Sequence, residues 1–425
     1  MFYSLTRPFA KIALGIYFRK IYVSNKENIP RDKPVILASN HPTAFIDPCL
    51  LACFQERPLH FLARGDLYIS NVFIRKLYDV YRMIPVFRRE DAGYSGVKTN
   101  FESFDRTFDA LKENKTVMIL VEGRTKHEKR LRPIRKGTAR IVFGAREKYG
   151  DLDIFIVPVG INYTNSDKFR SEVMIDFGEP VRVKDYADVA EKNQARAVNL
   201  LTNEIETRLA RSVVHIEDVK DDEWVEQLLE MKHNERVSGF WPVVVKNRNP
   251  FLEEKALADR INAMSVSQKL RLKNKVDLYF STLNKAGITD KGLVDHTSYS
   301  LPGALVLGLG WLPFVFGYLL NILPVGLGVQ LANKLAPSIE FRASMAGVFA
   351  SFAWLIYWLA WMLTAILSGE TWVWVVALLI PALGYFYVFY KDYDTRWKAC
   401  KDVALLEDER IESLTRLREE VLADL

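Results

Sequence analysis

The sequence predicts an α/β domain with a largely parallel sheet flanked by helices, followed by a helical subdomain and C-terminal transmembrane helices. Between Pro34 and Pro180, short apolar runs alternate with segments of helical period, which is typical of a parallel sheet. From Val181 to Thr297 the chain is rich in charge and mostly helical in period. After His296 no charged residue occurs until Lys334, and further uncharged stretches follow.

The composition excludes several classes of protein. The 425 residues include 58 basic and 52 acidic ones, which gives a net charge of +6. Because this charge is small and mixed, the chain lacks the dense basic field of a nucleic-acid-binding protein. The three cysteines, Cys49, Cys53 and Cys400, form neither a disulfide framework nor a metal-ligand spacing. We therefore expect a reducing compartment, no metal and no nucleic acid partner.

Changes in composition divide the chain into five segments. We predict an N-terminal interfacial helix, an α/β domain, a charged helical subdomain, a membrane domain and a C-terminal amphipathic helix, over residues 1–30, 31–183, 184–297, 298–392 and 393–425. The charged subdomain has helical period around Ala187–Arg211, Asp222–Glu235 and Glu253–Ala286. No residues of this subdomain have the spacing of a catalytic motif, so we predict a solvated helical subdomain.

The N-terminal segment Met1–Tyr22 is apolar and aromatic, and all its charges are basic: Arg7, Lys11, Arg19 and Lys20. Its longest uncharged run, Ile12–Phe18, is much shorter than the ~20 residues needed to cross a bilayer. A cleaved signal peptide is the alternative, but basic residues recur through the segment and no small-residue cleavage site follows. The segment therefore favours a helix that lies on the membrane surface.

Four apolar runs predict the strands of the α/β domain. They are Val35–Ser39, Leu59–Ala63, Thr116–Val121 and Ile154–Val159. Between the second and third runs, apolar residues step by four and three at Val97, Phe101, Phe104, Phe108 and Leu111. This spacing predicts a helix that packs one apolar face on the sheet, so the stripe is part of the core.

The membrane domain contains two stretches long enough to cross a bilayer, Ala343–Gly369 and Thr371–Tyr390. They predict a hairpin whose tip is Ser368-Gly369-Glu370. The preceding stretch, Leu301–Gln330, is interrupted by Pro302, Pro313, Pro324 and several glycines. It predicts a broken hairpin that dips into the membrane and returns.

Cationic residues flank the membrane stretches on one side. They are Lys334 and Arg342 before the hairpin, and Lys391, Arg396, Lys398 and Lys401 after it. Because cytoplasmic loops carry an excess of lysine and arginine, both flanks and the α/β domain are predicted to be cytoplasmic. An even number of crossings follows. The charged end of the chain, Asp402–Leu425, predicts an amphipathic helix at the surface.

One segment carries the clearest chemical signal, because a histidine and a carboxylate follow the first predicted strand. The chain reads Asn40-His41-Pro42-Thr43-Ala44-Phe45-Ile46-Asp47. A histidine at a strand end can act as a general base whose ring is oriented by a nearby carboxylate. Six residues of helix turn through ~600°, which separates His41 from Asp47 on a helix. The motif must therefore be partly loop, with Pro42 at the helix start.

Three further segments follow predicted strands. They are Ile84–Arg89, which contains Arg88, then Leu120–Thr125, which contains Glu122, Gly123 and Arg124, and finally Val157–Tyr163. Loops at the carboxyl ends of parallel strands converge on one crevice. A guanidinium group can bind two phosphate oxygens at once, and a glycine lets backbone N–H groups approach an anion. A phosphate-bearing substrate is therefore predicted.

These four segments together, in this order, resemble the blocks of the glycerolipid acyltransferase family. The resemblance covers about Val35 to Val181 and is strongest to the branch with the fungal enzymes that acylate glycerol 3-phosphate or dihydroxyacetone phosphate. Five residues separate His41 from Asp47, where the family usually has four. The third block reads Glu122-Gly123-Arg124-Thr125, where the family usually has Glu-Gly-Thr-Arg.

The resemblance implies a function and a set of site residues. His41 and Asp47 would be the catalytic pair, and the acceptor would bind to Arg88, Glu122, Gly123, Arg124 and Lys136. The donor would be an acyl thioester, acyl-CoA or acyl-ACP (acyl carrier protein), and the acceptor glycerol 3-phosphate or 1-acylglycerol 3-phosphate, with the lipid bilayer as a partner and no metal or other cofactor.

Three alternatives remain open from the sequence. The acceptor could be another lysolipid, or the protein could be a thioesterase or hydrolase that uses the same histidine on water. The hydrolase lacks support, because no Gly-x-Ser-x-Gly segment is present. An inactive membrane scaffold is the third alternative, and the intact His41, Asp47 and Glu122 argue against it.

Overall fold

The structure is a computed structural model that describes residues 2–65, 72–86, 104–236 and 239–425. The chain forms two compact units. The first comprises Met1–His215 and Val244–Phe251, and the second comprises Ile216–Val243 and Leu252–Leu425. Of the predicted site residues, Arg88 lies outside the described residues, as do Val97 and Phe101 of the predicted apolar stripe.

The first unit is built on one sheet, which has nine strands in the described part of the chain. The strands are β1 Lys20–Ser24, β2 Val35–Ser39, β3 Leu59–Arg64, β4 Met83–Val86, β5 Thr116–Leu120, β6 Phe155–Tyr163, β7 Glu172–Phe177, β8 Val181–Arg182 and β9 Val244–Val245. Their order across the sheet is β4-β3-β5-β2-β6-β7-β1-β9, with β8 also paired to β6. The central strand β2 therefore lies between β5 and β6.

The pairing is largely parallel, as predicted. Strands β4, β3, β5, β2 and β6 pair in parallel, and so do β7, β1 and β9. Only β6 with β7 and β6 with β8 pair antiparallel among these strands. The four predicted strands are confirmed as β2, β3, β5 and β6. Parallel pairing aligns the ends of β2 and β5, because Ser39 lies opposite Leu120, whereas β6 continues beyond Val159 to Tyr163.

Helices cover the sheet and contribute most of the remaining core. They are α1 Phe2–Tyr17, α2 Ile46–Phe54, α3 Val72–Val80, α4 seen over residues 104–112, α5 Gly137–Tyr149, α6 Ala187–Lys192 and α7 Gln194–Ala210. Ile36 of β2, Val142 of α5 and Leu201 of α7 are fully buried in one apolar cluster. Phe104, Phe108 and Leu111 belong to the same cluster, as predicted for the described part of that stripe.

The first unit extends beyond the predicted limits of 31 and 183 on both sides. The predicted helix at the N-terminus ends at Tyr17, and β1 then pairs in parallel with β7. Strand β1 lies inside the sheet, between β7 and β9, and its residue Ile21 is fully buried. At the other end, α7 belongs to this unit and not to the helical subdomain, since its apolar face packs in the core of the sheet.

The second unit has a helical core and three long apolar helices. Its helices are α8 Asp222–Asn234, α9 Asn249–Asn262, α10 Val266–Ala286, α11 Asp290–Asp295, α12 Leu301–Leu335, α13 Ile339–Ser368, α14 Thr371–Ala404 and α15 Asp408–Ala423, with the first residues of α9 assigned to the other unit. Trp224 of α8 and Val276 of α10 are buried in this core. The predicted helical character of this region is confirmed.

The C-terminal helix α15 has the predicted amphipathic character, and one of its faces packs on the helical core. Leu414 and Val421 are fully buried in the same apolar cluster as Trp224 and Val276. The Arg418 guanidinium donates to the buried carboxylate of Asp290 at 2.9 Å. The apolar face of α15 is therefore covered by helices of the chain, while Glu412, Arg416 and Glu420 on its other face are exposed.

The three apolar helices are each long enough to cross a membrane by length and composition, among the residues that the structure describes. The predicted hairpin between α13 and α14 is confirmed: Ser368 ends one helix, Gly369 has a left-handed φ of 67°, and Thr371 begins the next. Glycine adopts this conformation without the strain that a side chain would introduce.

The residues from Leu301 to Leu335 are all helical in α12, and the contacts of its two halves show whether the chain reverses direction as predicted for a broken hairpin. Pro302 lies in its first turn, where no hydrogen bond is lost. Pro313 and Pro324 lie inside the helix, where each removes a backbone donor and bends the helix without ending it.

The partners of α12 change near its middle. Gly303 packs on Trp397 and Asn321 donates to the carbonyl of Ile380, so this half runs antiparallel to α14. Beyond Asn321, Gly328 packs on the backbone of Ala350.

The second half of α12 therefore runs antiparallel to α13. This direction is confirmed at its end, where Arg342 donates to Asn333 at 3.0 Å. The remaining pair, α13 and α14, is antiparallel because it is a hairpin. Three straight helices that cross a bilayer cannot each be antiparallel to the other two, because at least two of them must run in the same direction. The three apolar helices are therefore not three straight crossings of a bilayer.

Candidate active site

The turn after the central strand is fixed by an asparagine side chain. Strand β2 ends at Ser39, and the Asn40 amide then pairs with the backbone of Ile161 on β6. Its Nδ2 donates to the Ile161 carbonyl at 2.9 Å, and its Oδ1 accepts from the Ile161 N–H at 2.8 Å. The side chain thus continues the β2–β6 pairing by one residue, which holds the next residue, His41, at the carboxyl end of the sheet.

His41 and Asp47 are in direct contact. The distance between His41 Nδ1 and Asp47 Oδ2 is 2.9 Å. The Asp47 side chain is fully buried, whereas the His41 side chain is 13% exposed and so borders the solvent. Residues 40–45 form a turn and α2 begins only at Ile46, which confirms that the motif is partly loop. This turn accommodates the five intervening residues, because Asp47 lies in the first helical turn and faces back towards the strand.

The Asp47 carboxylate accepts four hydrogen bonds. Oδ1 accepts from the Thr43 hydroxyl at 2.7 Å and from the Tyr163 hydroxyl at 2.6 Å. Oδ2 accepts from the Thr43 backbone N–H at 2.9 Å, in addition to its contact with the His41 ring. A buried carboxylate is stable only when its oxygens are hydrogen-bonded in this way. Oδ2 therefore contacts the histidine ring, while Oδ1 accepts hydrogen bonds from two hydroxyls.

Tyr163 is the non-local partner in this network. It is the last residue of β6, and its ring packs on Phe18 with a centroid distance of 5.8 Å. Burial, and next the charge of Asp47, raises the pKa of the Tyr163 hydroxyl well above its usual value of 10. The hydroxyl therefore stays protonated at physiological pH and donates to Asp47.

The Glu122 carboxylate contacts the backbone of His41 and of Arg132. Its Oε2 accepts from the His41 backbone N–H at 2.9 Å, and its Oε1 accepts from the Arg132 N–H at 2.9 Å. The Arg132 guanidinium also donates to Oε2 at 3.0 Å. Both oxygens are thus used by the protein, and a carboxylate repels a phosphate. The predicted contact between Glu122 and the acceptor stays a prediction.

Gly123 is required by the turn itself. Its φ of 73° is left-handed, and a side chain there would lie 2.8 Å from the Arg135 Nε. Its backbone N–H donates to the Leu120 carbonyl at 3.2 Å. Arg124 follows as an exposed residue, and the next part of the loop contacts the motif, because the Lys126 N–H donates to the His41 carbonyl at 3.3 Å. The structure thus brings this loop to the histidine.

The loop over residues 124–136, here called the basic loop, is strongly cationic. Its cations are Arg124, Lys126, Lys129, Arg130, Arg132, Arg135 and Lys136. Glu128 is its single carboxylate and pairs with Lys126, Arg130 and Arg132. Lys136 is exposed and directly precedes α5, at a helix N-terminus of the kind that favours anions. The excess of positive charge beside His41 suits an anionic ligand.

Three residues of the site were not singled out from the sequence: Thr43, Tyr163 and Arg132. The first lies inside the Asn40–Asp47 motif, where a hydroxyl four residues before a buried aspartate was an available signal. The fold brings Tyr163 into contact with Asp47 of the motif and Arg132 into contact with Glu122. Among the described residues, no group of three His, Cys, Asp or Glu side chains could hold a metal ion.

Residues 20–162, about a third of the chain, match the family model described as Acyltransferase. Two relatives are yeast proteins of Saccharomyces cerevisiae. Glycerol-3-phosphate O-acyltransferase 1 is 34% identical over 80 residues, which cover 19% of this chain and 10% of that protein. Glycerol-3-phosphate O-acyltransferase 2 is 31% identical over 111 residues, which cover 25% of this chain and 15% of that protein. The chain thus spans only a small part of these two relatives.

A third relative is the 1-acyl-sn-glycerol-3-phosphate acyltransferase of Bacillus subtilis, which is 25% identical over 198 residues. The match covers 44% of this chain and 89% of that protein. Among solved structures, the 1-acyl-sn-glycerophosphate (LPA) acyltransferase PlsC from Thermotoga maritima matches with a TM-score of 0.35 and 18% identity, over 48% of this chain and 78% of that chain. Residues 20–162, from the first residue of β1 to the penultimate residue of β6, are thus similar to the acyltransferase family over about a third of the chain.

Proposed function

We propose that this protein is a membrane-bound O-acyltransferase. It moves a fatty acyl group from an acyl thioester to a hydroxyl of glycerol 3-phosphate or 1-acylglycerol 3-phosphate. The observation that carries the proposal is the 2.9 Å contact between His41 and Asp47 at the rim of an acyltransferase-family domain, beside the basic loop. Relatives named as acyltransferases of both acceptors support this choice of substrates.

The reaction follows from the orientation of the His41 ring. When Asp47 accepts a hydrogen bond from the Nδ1–H group of His41, the lone pair of the neutral imidazole is on Nε2. Nε2 takes the proton of the acceptor hydroxyl while the hydroxyl oxygen attacks the thioester carbonyl carbon. The carbon–sulfur bond then breaks, and the proton passes from His41 to the thiolate that leaves. Asp47 stabilises the imidazolium that forms between the two proton transfers.

The phosphate of the acceptor would bind to the basic loop. Arg124 and Lys136 are exposed cations on this loop, and they remain our candidates for contacts with the phosphate, together with Arg88. Glu122 accepts hydrogen bonds from the His41 backbone and the Arg132 guanidinium and holds both in place. Gly123 supplies the turn that starts the loop.

The membrane assignment is supported by three long apolar helices, α12, α13 and α14. The two ends of this segment lie together, because Trp397 donates to the Ser300 carbonyl at 3.4 Å and Cys400 donates to the Asp295 carbonyl at 3.2 Å. Ends on one side require an even number of crossings. We assign the crossings to the α13–α14 hairpin, treat α12 as a bent helix that enters and returns, and assign the catalytic domain to the cytoplasmic face.

The test uses purified full-length protein in detergent with a labelled acyl chain. Acyl-CoA and acyl-ACP are offered as donors, each with glycerol 3-phosphate, 1-acylglycerol 3-phosphate, a lysophospholipid without a terminal phosphate, or no acceptor. The proposal expects labelled product only with the two phosphate acceptors. Release of free fatty acid at the same rate without acceptor would instead identify a thioesterase.

The phosphate assignment has its own comparison. Arg124→Ala should raise the KM for the phosphate acceptor by roughly 10- to 150-fold, the range for a lost charge-assisted hydrogen bond, and leave the KM for the thioester unchanged. Arg196→Ala serves as the control, because Arg196 is an exposed arginine on α7, outside the basic loop. Equal losses on acceptors with and without a phosphate would exclude Arg124 from the phosphate site.

A further inference from the structure

We propose that Tyr163 and Thr43 are positioning residues for the acyl transfer, which hold Asp47 and thereby fix the ring of His41. This inference rests on the proposed function for its kinetic readout. It starts from the division of the Asp47 carboxylate, whose Oδ1 is held by two hydroxyls at 2.6 and 2.7 Å. The other oxygen, Oδ2, is left for the histidine and the Thr43 N–H.

The connection of these residues along the chain explains why Tyr163 is needed. His41, Thr43 and Asp47 lie within seven residues of each other, in a turn and the first turn of α2. Their mutual hydrogen bonds can therefore be kept if the whole turn shifts as one body. Tyr163 is the last residue of β6. The hydrogen bond from its hydroxyl to the Asp47 carboxylate therefore connects that carboxylate to the sheet.

The tyrosine is itself held on several sides. Its ring packs on Phe18, its backbone carbonyl accepts from Lys129 of the basic loop, and its hydroxyl lies 3.1 Å from the Thr43 hydroxyl. The side chain is 5% exposed. A buried ring with one rotatable hydroxyl keeps a fixed direction, and this direction is transferred to the carboxylate oxygen that it contacts.

The chemical consequence is the tautomer of His41. A neutral imidazole carries its proton on either ring nitrogen, and a carboxylate aimed at Nδ1 selects the Nδ1–H form. Only that form has its lone pair on Nε2, where the acceptor hydroxyl would be deprotonated. If Oδ2 turns away from the ring, both tautomers are populated and the active fraction falls. Tyr163 therefore contributes to turnover without touching either substrate.

The experiment compares three variants of the full-length protein in detergent: Tyr163→Phe, Thr43→Val, and the double variant. Each change removes a hydroxyl and keeps the shape of the side chain. The matched control is Tyr279→Phe in the second unit, where a fully buried tyrosine also donates to a buried aspartate, Asp290, at 2.6 Å. Tyr163→Phe should lower kcat by about 5- to 50-fold, since part of a charge-assisted hydrogen bond is lost, while both KM values stay within about twofold.

The double variant should lose more turnover than either single variant, and Tyr279→Phe should keep the parental kcat. A readout without substrate accompanies the kinetics. The 15N spectrum of the histidine rings, with His41 assigned by His41→Gln, should show the Nδ1–H tautomer in the parent and a larger Nε2–H fraction in Tyr163→Phe. Tyr279→Phe should leave the His41 signal unchanged.

The possible outcomes separate the two proposals. A parental tautomer in Tyr163→Phe, or a loss of kcat no larger than in Tyr279→Phe, would overturn the positioning role. A raised KM with unchanged kcat would also overturn it, because it would make Tyr163 a binding residue. If the parent forms no acylated phosphate acceptor, the proposed function fails, and the tautomer comparison still decides whether Tyr163 positions His41.

Discussion

The substitution Glu122→Gln distinguishes the role that the family resemblance implied from the role that the structure supports. The change keeps the shape of the side chain but replaces one carboxylate oxygen by an NH2 group. Three donors converge on Glu122: the His41 N–H, the Arg132 N–H and the Arg132 guanidinium, at 2.9, 2.9 and 3.0 Å. Gln can accept only through its remaining oxygen. At least one donor must then face an NH2 group.

The magnitude follows from these contacts. A hydrogen bond to a charged group contributes about 1.5–3 kcal/mol, and a buried donor without an acceptor adds to the loss. Glu122 is 7% exposed, so water cannot replace the lost acceptor freely. We expect a loss of about 2–4 kcal/mol, which corresponds to a fall of roughly 5–15 °C in the thermal midpoint of a unit of this size. A small shift of the His41 backbone should lower kcat by about 10- to 100-fold.

The assay measures thermal unfolding and steady-state kinetics on the same preparation. Asp290→Asn is the control, because Asp290 is also buried and receives hydrogen bonds from Arg418 and Tyr279, at 2.9 and 2.6 Å, in the helical core. It should lower the midpoint and leave the kcat of the folded fraction unchanged. If Glu122→Gln instead raises the KM of the phosphate acceptor with kcat and midpoint unchanged, Glu122 binds the substrate and the structural role is refuted.

Three further predictions address the base, the helical core and the topology. His41→Ala should lower turnover by ~100- to 10,000-fold, the range for a lost general base, and Asp47→Asn should be comparable; activity within tenfold of the parent in both, in membranes matched for expression, would exclude the pair. Arg418→Met should lower the apparent midpoint of unfolding because it removes the cationic partner of the buried Asp290 carboxylate, a loss of about 3–5 kcal/mol, with acyl transfer per folded molecule within twofold of the parent. Cysteines introduced at Glu370 and at Lys112 should react with an impermeant reagent from opposite sides of sealed vesicles, and labelling from one side would contradict the even number of crossings.

The features that the sequence predicted well are those set by neighbouring residues. The strand Val35–Ser39 has the predicted bounds, because a short apolar run ended by a polar motif fits only a buried strand in this context. The hairpin tip at Gly369 was also predictable, since a glycine and a glutamate interrupt two uncharged stretches. The loop character of the His41–Asp47 motif followed from helix geometry alone.

The features that could not be predicted depend on contacts between distant parts of the chain. The orientation of Glu122 is decided by the path of the basic loop, which returns Arg132 to the same carboxylate. The amphipathic pattern of Asp408–Ala423 shows that one face is covered, but lipid and protein give the same pattern. Tyr163 reaches Asp47 only because β6 lies beside β2 in the sheet.

The packing of Asp408–Ala423 has a consequence for the order in which the protein is made. This helix completes an apolar core whose other residues, such as Trp224 and Val276, leave the ribosome well before the membrane helices do. In the proposed topology, the nascent chain inserts α13 and α14 and brings its end back to the starting side before that core can close. A chain whose hairpin inserted in the wrong orientation would then leave Trp224 and Val276 exposed to chaperones and proteases. Under this proposal, folding of the helical core depends on correct membrane insertion.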